Sequence, residues 1–177
     1  MRTNNINMDQ LNQTMQQAQA DPAKAKHVTR IEGRWNLGEG LPQFTGVITY
    51  QSGSLTLDSD QPISMGGSGT MPAPLHYCVY GLTACYVATF ATMAALMQVH
   101  LKRLEAVTEA YFDLSQAFGL GDSPALEHVA ITLTVDSDAD RAQLDQVQQM
   151  ANERCPAMYI LGHQVPFHSQ MKLLQPT

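Results

Sequence analysis

The chain has 177 residues, and its 10 Lys and Arg against 16 Asp and Glu give it a formal net charge of −6. This length predicts one domain, or one domain with an appendage. Because no cluster of basic residues could neutralise a row of phosphates, we expect neither nucleic-acid binding nor attachment to an anionic membrane surface.

The N-terminal part of the chain predicts a helix that precedes the main domain. Residues 7–25 are rich in Gln, Met and Ala, and they end near DPAKAK. Four apolar residues fall on one helical stripe of this segment: Met8, Leu11, Met15 and Ala18. We interpret residues 1–25 as an N-terminal helical extension and residues 26–177 as the main domain.

Three strands and a loop are predicted next. Alternating side chains predict a strand over residues 27–37 (HVTRIEGRWNL), and GEGLPQ is a turn. The segments FTGVITY and SLTLDS, joined by QSG, are typical of a hairpin. The glycine and proline residues of DQPISMGGSGTMPAPL predict a loop, after which Pro74 suits the first turn of a helix.

An uncharged stretch from Tyr77 to Val99 approaches the length that spans a membrane. Its threonines and its many alanines favour a helix at the centre of a large core instead, and no membrane partner is expected. One sheet can cover only one face of a helix that is apolar on several sides. We therefore expect a second subunit to cover the other face, in a homodimer.

The second half of the chain predicts two strands, a helix and a last strand. LEAVTEAYFDLSQAF fits either a helix or a strand, but ALEHVAITLTVDS is a clear strand that could pair with it across GLGDSP. DADRAQLDQVQQMANERC predicts a helix with Asp138 or Asp140 in its first turn. HQVPFHSQMKLLQ predicts a final strand. Strands that come in groups favour an α+β fold with a mostly antiparallel sheet.

Three cysteines are the candidates for chemistry: Cys78, Cys85 and Cys155. Their odd number, with no C-x-x-C pair and no zinc-finger spacing, does not fit a secreted disulfide framework or a metal site. The first twenty residues also lack the apolar region of a signal peptide. These features predict a cytoplasmic protein with reduced thiols and no cofactor or metal.

Cys85 lies inside the apolar helix, and Cys155 lies at the end of the last predicted helix. Two such cysteines suggest a peroxidatic and a resolving thiol, of which the first becomes a sulfenic acid and the second closes a disulfide with it. The alternative is that both are buried and act as small hydrophobic residues. Cys78, seven residues before Cys85 on the same helix face, is interpreted as a core residue.

The segment MGGSGTMPAPLHYCVYGLTACYVATF resembles the signature of the OsmC/Ohr family, the osmotically induced and organic hydroperoxide resistance proteins. In that family a Gly-Gly loop leads to a helix that starts with proline, and a cysteine follows a small residue. The matching residues are Gly66, Gly67, Gly69, Pro74, Ala84 and Cys85. Cys155-Pro156 resembles the second family motif, and the resemblance covers residues 28–174.

This resemblance implies an intertwined homodimer, with two long central helices packed between sheets and with sites at the subunit interface. It also implies a thiol-dependent peroxidase that reduces small hydrophobic organic hydroperoxides in oxidative-stress defence. Cys85 would be the peroxidatic residue, Cys155 the resolving residue, and an external dithiol the reductant. The alternative is a non-catalytic dimer of the same fold that binds a small hydrophobic ligand at the interface.

Two positions differ from the pattern of the family's peroxidases. Those proteins usually have Glu directly after the helix-starting proline, where this chain has Leu75, and an activating Arg before the hairpin, where this chain reads LPQFTG. Arg30 or Arg34 on the first strand is a candidate for the missing positive charge. His76 is a candidate base, and the alternative is that it faces solvent or the loop.

Overall fold

A computed structural model describes residues 1–173 as a fold of helices and antiparallel strands. In chain order the elements are β1 (Arg2–Thr3), β2 (Ile6–Asn7), α1 (Met8–Ala20), β3 (Ile31–Trp35), β4 (Phe44–Tyr50), β5 (Gly53–Ser59), α2 (Pro74–Leu96), β6 (Leu101–Phe112), β7 (Leu126–Ser137), α3 (Arg141–Arg154) and α4 (Pro156–Gly162). The predicted α+β class and the antiparallel pairing are confirmed.

The two larger sheets follow the predicted strand groups. β3, β4 and β5 form a meander, although β3 is shorter than the predicted strand. β6 and β7 form a hairpin of 12 residues per strand, so the segment that fits either a helix or a strand is a strand over residues 104–112, and its last residues, 113–118, are not. Its length lets one face lie against α2, which makes most of its strand contacts with β6.

α2 begins where the sequence predicts, with Pro74 in its first turn. His76 accepts a hydrogen bond at Nδ1 from the backbone N–H of Ala73, over 3.0 Å, and so caps the helix. Inside the helix, threonine hydroxyls donate to the carbonyl four residues earlier, over 2.8 Å at Thr83 and 2.9 Å at Thr89. This local bonding satisfies polar groups within an apolar helix.

The core lies where α2 meets the β6–β7 hairpin, α3 and α4. Its most buried side chains are at most 2% exposed: Phe90, Ala94, Val147, Ala151 and Cys155. α2 is long and apolar enough, by length and composition, to cross a membrane, yet only 28% of its most apolar window is buried inside the chain. Much of α2 therefore lies open on the side away from this core.

The β3–β5 meander leaves large apolar side chains exposed in a single copy of the chain, among them Trp35, Tyr50 and Leu55, each more than half exposed. The accessible surface of the chain is 13657 Å² for 19.4 kDa. A compact monomer of this mass exposes about 8,500 Å². A single copy thus presents several thousand Å² more surface than a compact monomer does.

The side chain of Asn4 hydrogen-bonds the N-terminal segment to the main fold. Asn4 and Asn5, both at positive φ, form the turn between β1 and β2. The Asn4 amide donates to the Val99 carbonyl over 2.8 Å, and its Oδ1 accepts from the Leu101 N–H over 2.9 Å. The β1–β2 turn therefore sits on the joint between α2 and β6, and α1 follows with no buried residue.

Two features near the C-terminus differ from the sequence prediction. The helix α4 was not predicted, because seven residues are too few to show a helical period. The predicted last strand is wrong for residues 163–173, which form neither strand nor helix. Pro166 lacks the backbone N–H that a strand ladder requires. The last two residues of HQVPFHSQMKLLQ lie outside the described residues.

Candidate functional site

Cys85 and Cys155 meet at the contact of α2 with the α3–α4 corner. Their Sγ atoms are 3.7 Å apart, and both thiols are free. Because a disulfide bond is about 2.05 Å long, the two sulfurs need to approach by less than about 2 Å to form one. Cys85 is half-buried and Cys155 is 1% exposed, so Cys85 is the more accessible thiol of the pair.

Cys155 is held by the ends of two helices. It is both the C-cap of α3 and the N-cap of α4, and Pro156 occupies the first position of α4. The Cys155 N–H donates to the Ala151 carbonyl over 3.0 Å, and its own carbonyl accepts from the Tyr159 N–H over 3.0 Å. Proline ends one helix and suits the start of the next, which fixes the corner at this cysteine.

The surroundings of Cys85 act on its pKa in opposite directions. Burial raises the pKa of Cys85, the backbone N–H of Ala157 lowers it by hydrogen bonding to the sulfur, and the neighbouring Cys155 raises it. The net direction is upward. Among residues 1–173, no cation contributes to this shift, so a single copy keeps the Cys85 thiol mostly protonated at neutral pH.

The candidate replacements for the missing charge and base are engaged elsewhere. Arg30 is paired with Glu32 over 2.6 Å, and the Arg34 Nε donates to Asn36 Oδ1 over 3.2 Å, both on the exposed meander. His76 is exposed and accepts the backbone hydrogen bond that caps α2. This placement fits the alternative that His76 faces solvent or the loop better than a role as a base. Cys78 is exposed in this chain, which contradicts its interpretation as a core residue.

A tyrosine beside the cysteine pair was not predicted from the sequence. The Tyr86 hydroxyl donates to Asn152 Oδ1 over 2.6 Å and so joins α2 to α3. Burial raises the pKa of Tyr86, the nearby Gln148 side chain lowers it, and proximity to Cys155 raises it. Tyr86 and Asn152 are 66 residues apart, so no local pattern could have indicated this pair.

The loop before α2 is organised by a buried carboxylate, Asp60, which is 2% exposed. Asp60 Oδ2 accepts from the Ser68 hydroxyl and, over 2.9 Å, from the Ser68 N–H. The Ser68 hydroxyl and then the backbone N–H groups of the loop hold the pKa of Asp60 below its usual value, and burial opposes them. Aspartate directly before a glycine-rich loop is a recognisable turn signal.

The glycine pair in this loop has a steric reason. Gly66 has a φ of 81°, where a side chain is strained, and a Cβ on Gly67 would lie 1.9 Å from the Gln61 carbonyl oxygen. The loop thus packs against itself and leads into Pro74 in a defined path. Both positions of the Gly-Gly motif therefore require glycine, Gly66 for its backbone conformation and Gly67 for space.

Comparison with known proteins gives a family and a fold. Residues 67–170 match the family model for OsmC-like protein. An OsmC-like protein from Mycoplasma pneumoniae shares 19% identity at a TM-score of 0.58, over 77% of this chain and 89% of its own. The organic hydroperoxide resistance protein OsmC of Legionella pneumophila shares 17% identity at a TM-score of 0.53, over 76% and 89%. The chain has no match among the curated proteins.

Proposed function

Because this chain belongs to the OsmC-like protein family, we propose that it is a thiol-dependent peroxidase that reduces organic hydroperoxides with Cys85 and Cys155. The observation that carries the proposal is the 3.7 Å between the two sulfur atoms, which lie 70 residues apart in the sequence. The name of the similar protein from Legionella pneumophila, an organic hydroperoxide resistance protein, supports the same substrate class.

The reaction would proceed in two steps within the chain. The Cys85 thiolate attacks one peroxide oxygen, the O–O bond breaks, and the rest of the hydroperoxide leaves with a proton as an alcohol. The Cys155 sulfur then attacks the sulfur of the Cys85 sulfenic acid, a disulfide forms, and water leaves. An external dithiol reduces the disulfide by exchange and returns both thiols, which suits a cytoplasmic location.

The difference in exposure supports this division of roles. A peroxide can reach the half-buried Cys85, whereas Cys155 at 1% exposure is sheltered from small oxidants but in contact with Cys85. The N–H of Ala157 favours the Cys85 thiolate. The raised pKa of Cys85 predicts a modest rate at neutral pH for a single copy of the chain.

We propose that the active form is a homodimer. The accessible surface of 13657 Å² exceeds that of a compact monomer by several thousand Å², which is the size range of obligate dimer interfaces. The open side of α2 and the exposed meander are the apolar surfaces that a second copy would cover. Light scattering should give twice the chain mass of 19.4 kDa, and a monomer would contradict the proposal.

A second function is favoured by the electrostatics of Cys85. Burial raises its pKa, and no cation in the described part of the chain opposes this effect. A thiol that stays protonated would suit a non-catalytic dimer of this family that binds a small hydrophobic ligand at the subunit interface. Native mass spectrometry of the purified protein tests this alternative, because it would detect a copurified ligand.

One experiment separates the two functions. The protein is treated with cumene hydroperoxide in a Cys78→Ser background, because Cys78 is exposed and would add its own oxidation. Peroxidase chemistry predicts the loss of two free thiols per chain and one equivalent of alcohol, and both are abolished by Cys85→Ser. Retention of both thiols after complete exposure to the peroxide would overturn the peroxidase proposal and leave the binding function.

A further inference from the structure

A hydrogen bond joins the two helices that lead to the cysteines. The Tyr86 hydroxyl on α2 donates to Asn152 Oδ1 on α3 over 2.6 Å. Tyr86 directly follows Cys85, and Asn152 lies three residues before Cys155, at the spacing that puts two residues on one helix face. The bond therefore lies beside the contact of the two sulfur atoms, one helical turn from Cys155.

The two partners of this hydrogen bond differ in burial. Tyr86 is 4% exposed, with its ring in the core cluster, whereas Asn152 is an exposed residue at the end of α3. Gln148, one turn earlier on the same face of α3, is near enough to the Tyr86 hydroxyl to lower its pKa. The ring of Tyr86 is thus fixed in the core, and its hydroxyl reaches the protein surface at Asn152. Through this bond, α2 holds the last turns of α3 in place.

We propose that the Tyr86 hydroxyl is a positioning group for disulfide formation, which holds the last turn of α3 so that Cys155 Sγ stays against Cys85 Sγ. This inference rests on the proposed pairing of these two cysteines. Cys155 ends α3 at a corner, so its position depends on how well the last turn is anchored. The hydroxyl acts on the second step, in which the S–S bond forms and water leaves, and not on the attack of Cys85 on the peroxide.

The test measures the equilibrium between dithiol and disulfide in buffers of reduced and oxidised dithiothreitol, in the full chain with Cys78→Ser. Tyr86→Phe keeps the buried ring and removes only the hydroxyl. We expect the equilibrium constant for disulfide formation to fall about fivefold, the factor that corresponds to one hydrogen bond of ordinary net strength. For a two-electron couple this is a rise of about 20 mV in reduction potential.

Matched variants distinguish positioning from a general loss of stability. Asn152→Ala should lower the equilibrium constant for disulfide formation as much as Tyr86→Phe does. Asn152→Asp keeps an oxygen that accepts from the Tyr86 hydroxyl, so its equilibrium constant should equal that of the parent protein. Gln149→Ala removes a bond of 2.9 Å to Glu153 within α3 itself and should leave the equilibrium unchanged. In single turnover with cumene hydroperoxide, Tyr86→Phe should accumulate more sulfenic acid on Cys85, trapped by dimedone, at an unchanged rate of peroxide loss.

The outcomes separate this inference from the proposed function. If Tyr86→Phe has the wild-type equilibrium, or if Gln149→Ala shifts it equally, the positioning role is wrong. If the disulfide forms in dithiothreitol buffers with the expected dependence on Tyr86, but peroxide consumes no thiol, the peroxidase proposal fails and the positioning role stands. If no disulfide between Cys85 and Cys155 forms in any buffer, both are overturned.

Discussion

Oxidation of the Cys85–Cys155 pair should raise the free energy of unfolding by about 4 kcal/mol, according to the loop-entropy relation for a cross-link of this span. The two residues are 70 apart in sequence, so the bond closes a long loop in the unfolded chain. In the native state the sulfurs are already 3.7 Å apart, and the bond requires only a small movement of the α3–α4 corner. The native state should therefore bear little strain from the bond.

The assay compares chemical denaturation of the reduced and oxidised protein, followed by circular dichroism, with Cys78→Ser in both. Both forms are measured at the same protein concentration, because unfolding of an oligomer depends on it. At about 2–4 °C per kcal/mol for a chain of this size, the oxidised form should also melt about 10 °C higher. Cys155→Ser, which cannot close the loop, should show no change in stability on treatment with oxidant.

Two results would refute this reasoning. One is equal stability of the oxidised and reduced forms, with the disulfide verified by peptide mass mapping. It would mean that strain at the Cys155 corner costs the native state as much free energy as the cross-link costs the unfolded chain. Lower stability of the oxidised form would mean that the 3.7 Å contact is not the geometry from which the bond forms.

Three further predictions concern single residues. Because burial raises the pKa of Cys85, its alkylation rate should keep rising above pH 9, beyond the rise shown by glutathione under the same conditions; a plateau near pH 7 would contradict this. Since the pKa of Asp60 is lowered by Ser68, its contribution to stability is complete above the ordinary aspartate pKa and is lost as the pH falls through the lower folded value. Asp60→Asn should therefore flatten the acid limb of a stability-against-pH curve. Gly67→Ala should lower the melting temperature, because its Cβ would meet the Gln61 carbonyl oxygen at 1.9 Å, whereas Gly121→Ala meets nothing and should not.

The sequence predicted the elements whose patterns are long or sharply bounded. The hairpin FTGVITY–SLTLDS alternates with a period of two between turn residues, and the structure forms it as β4 and β5. The helix that starts at Pro74 was predicted from the proline and from the uncharged run that follows. The contact of Cys85 with Cys155 was expected from the positions of the two cysteines on predicted helices and from the resemblance to a family. No local pattern could indicate it, because only the fold brings residues 70 apart together.

The features that sequence reasoning missed depend on tertiary contacts or on very short segments. The β1–β2 turn consists of two-residue strands around Asn4 and Asn5, which leaves no period to detect. The hydrogen bond of Tyr86 with Asn152 joins residues 66 apart. The predicted last strand failed because alternation in a short segment does not guarantee a neighbouring strand with which to form hydrogen bonds.

The Asn4 bonds have a consequence for how the chain acquires its structure during synthesis. Asn4 leaves the ribosome among the first residues, but its partners Val99 and Leu101 follow 95 and 97 residues later. The turn at the start of the chain must therefore wait, without its anchor, until α2 and the first residue of β6 have emerged. Since translation proceeds at about 5–20 residues per second, this interval is at least several seconds. A nascent chain stalled before Val99 should show the first seven residues open to proteolysis, and one released after β7 should show them protected.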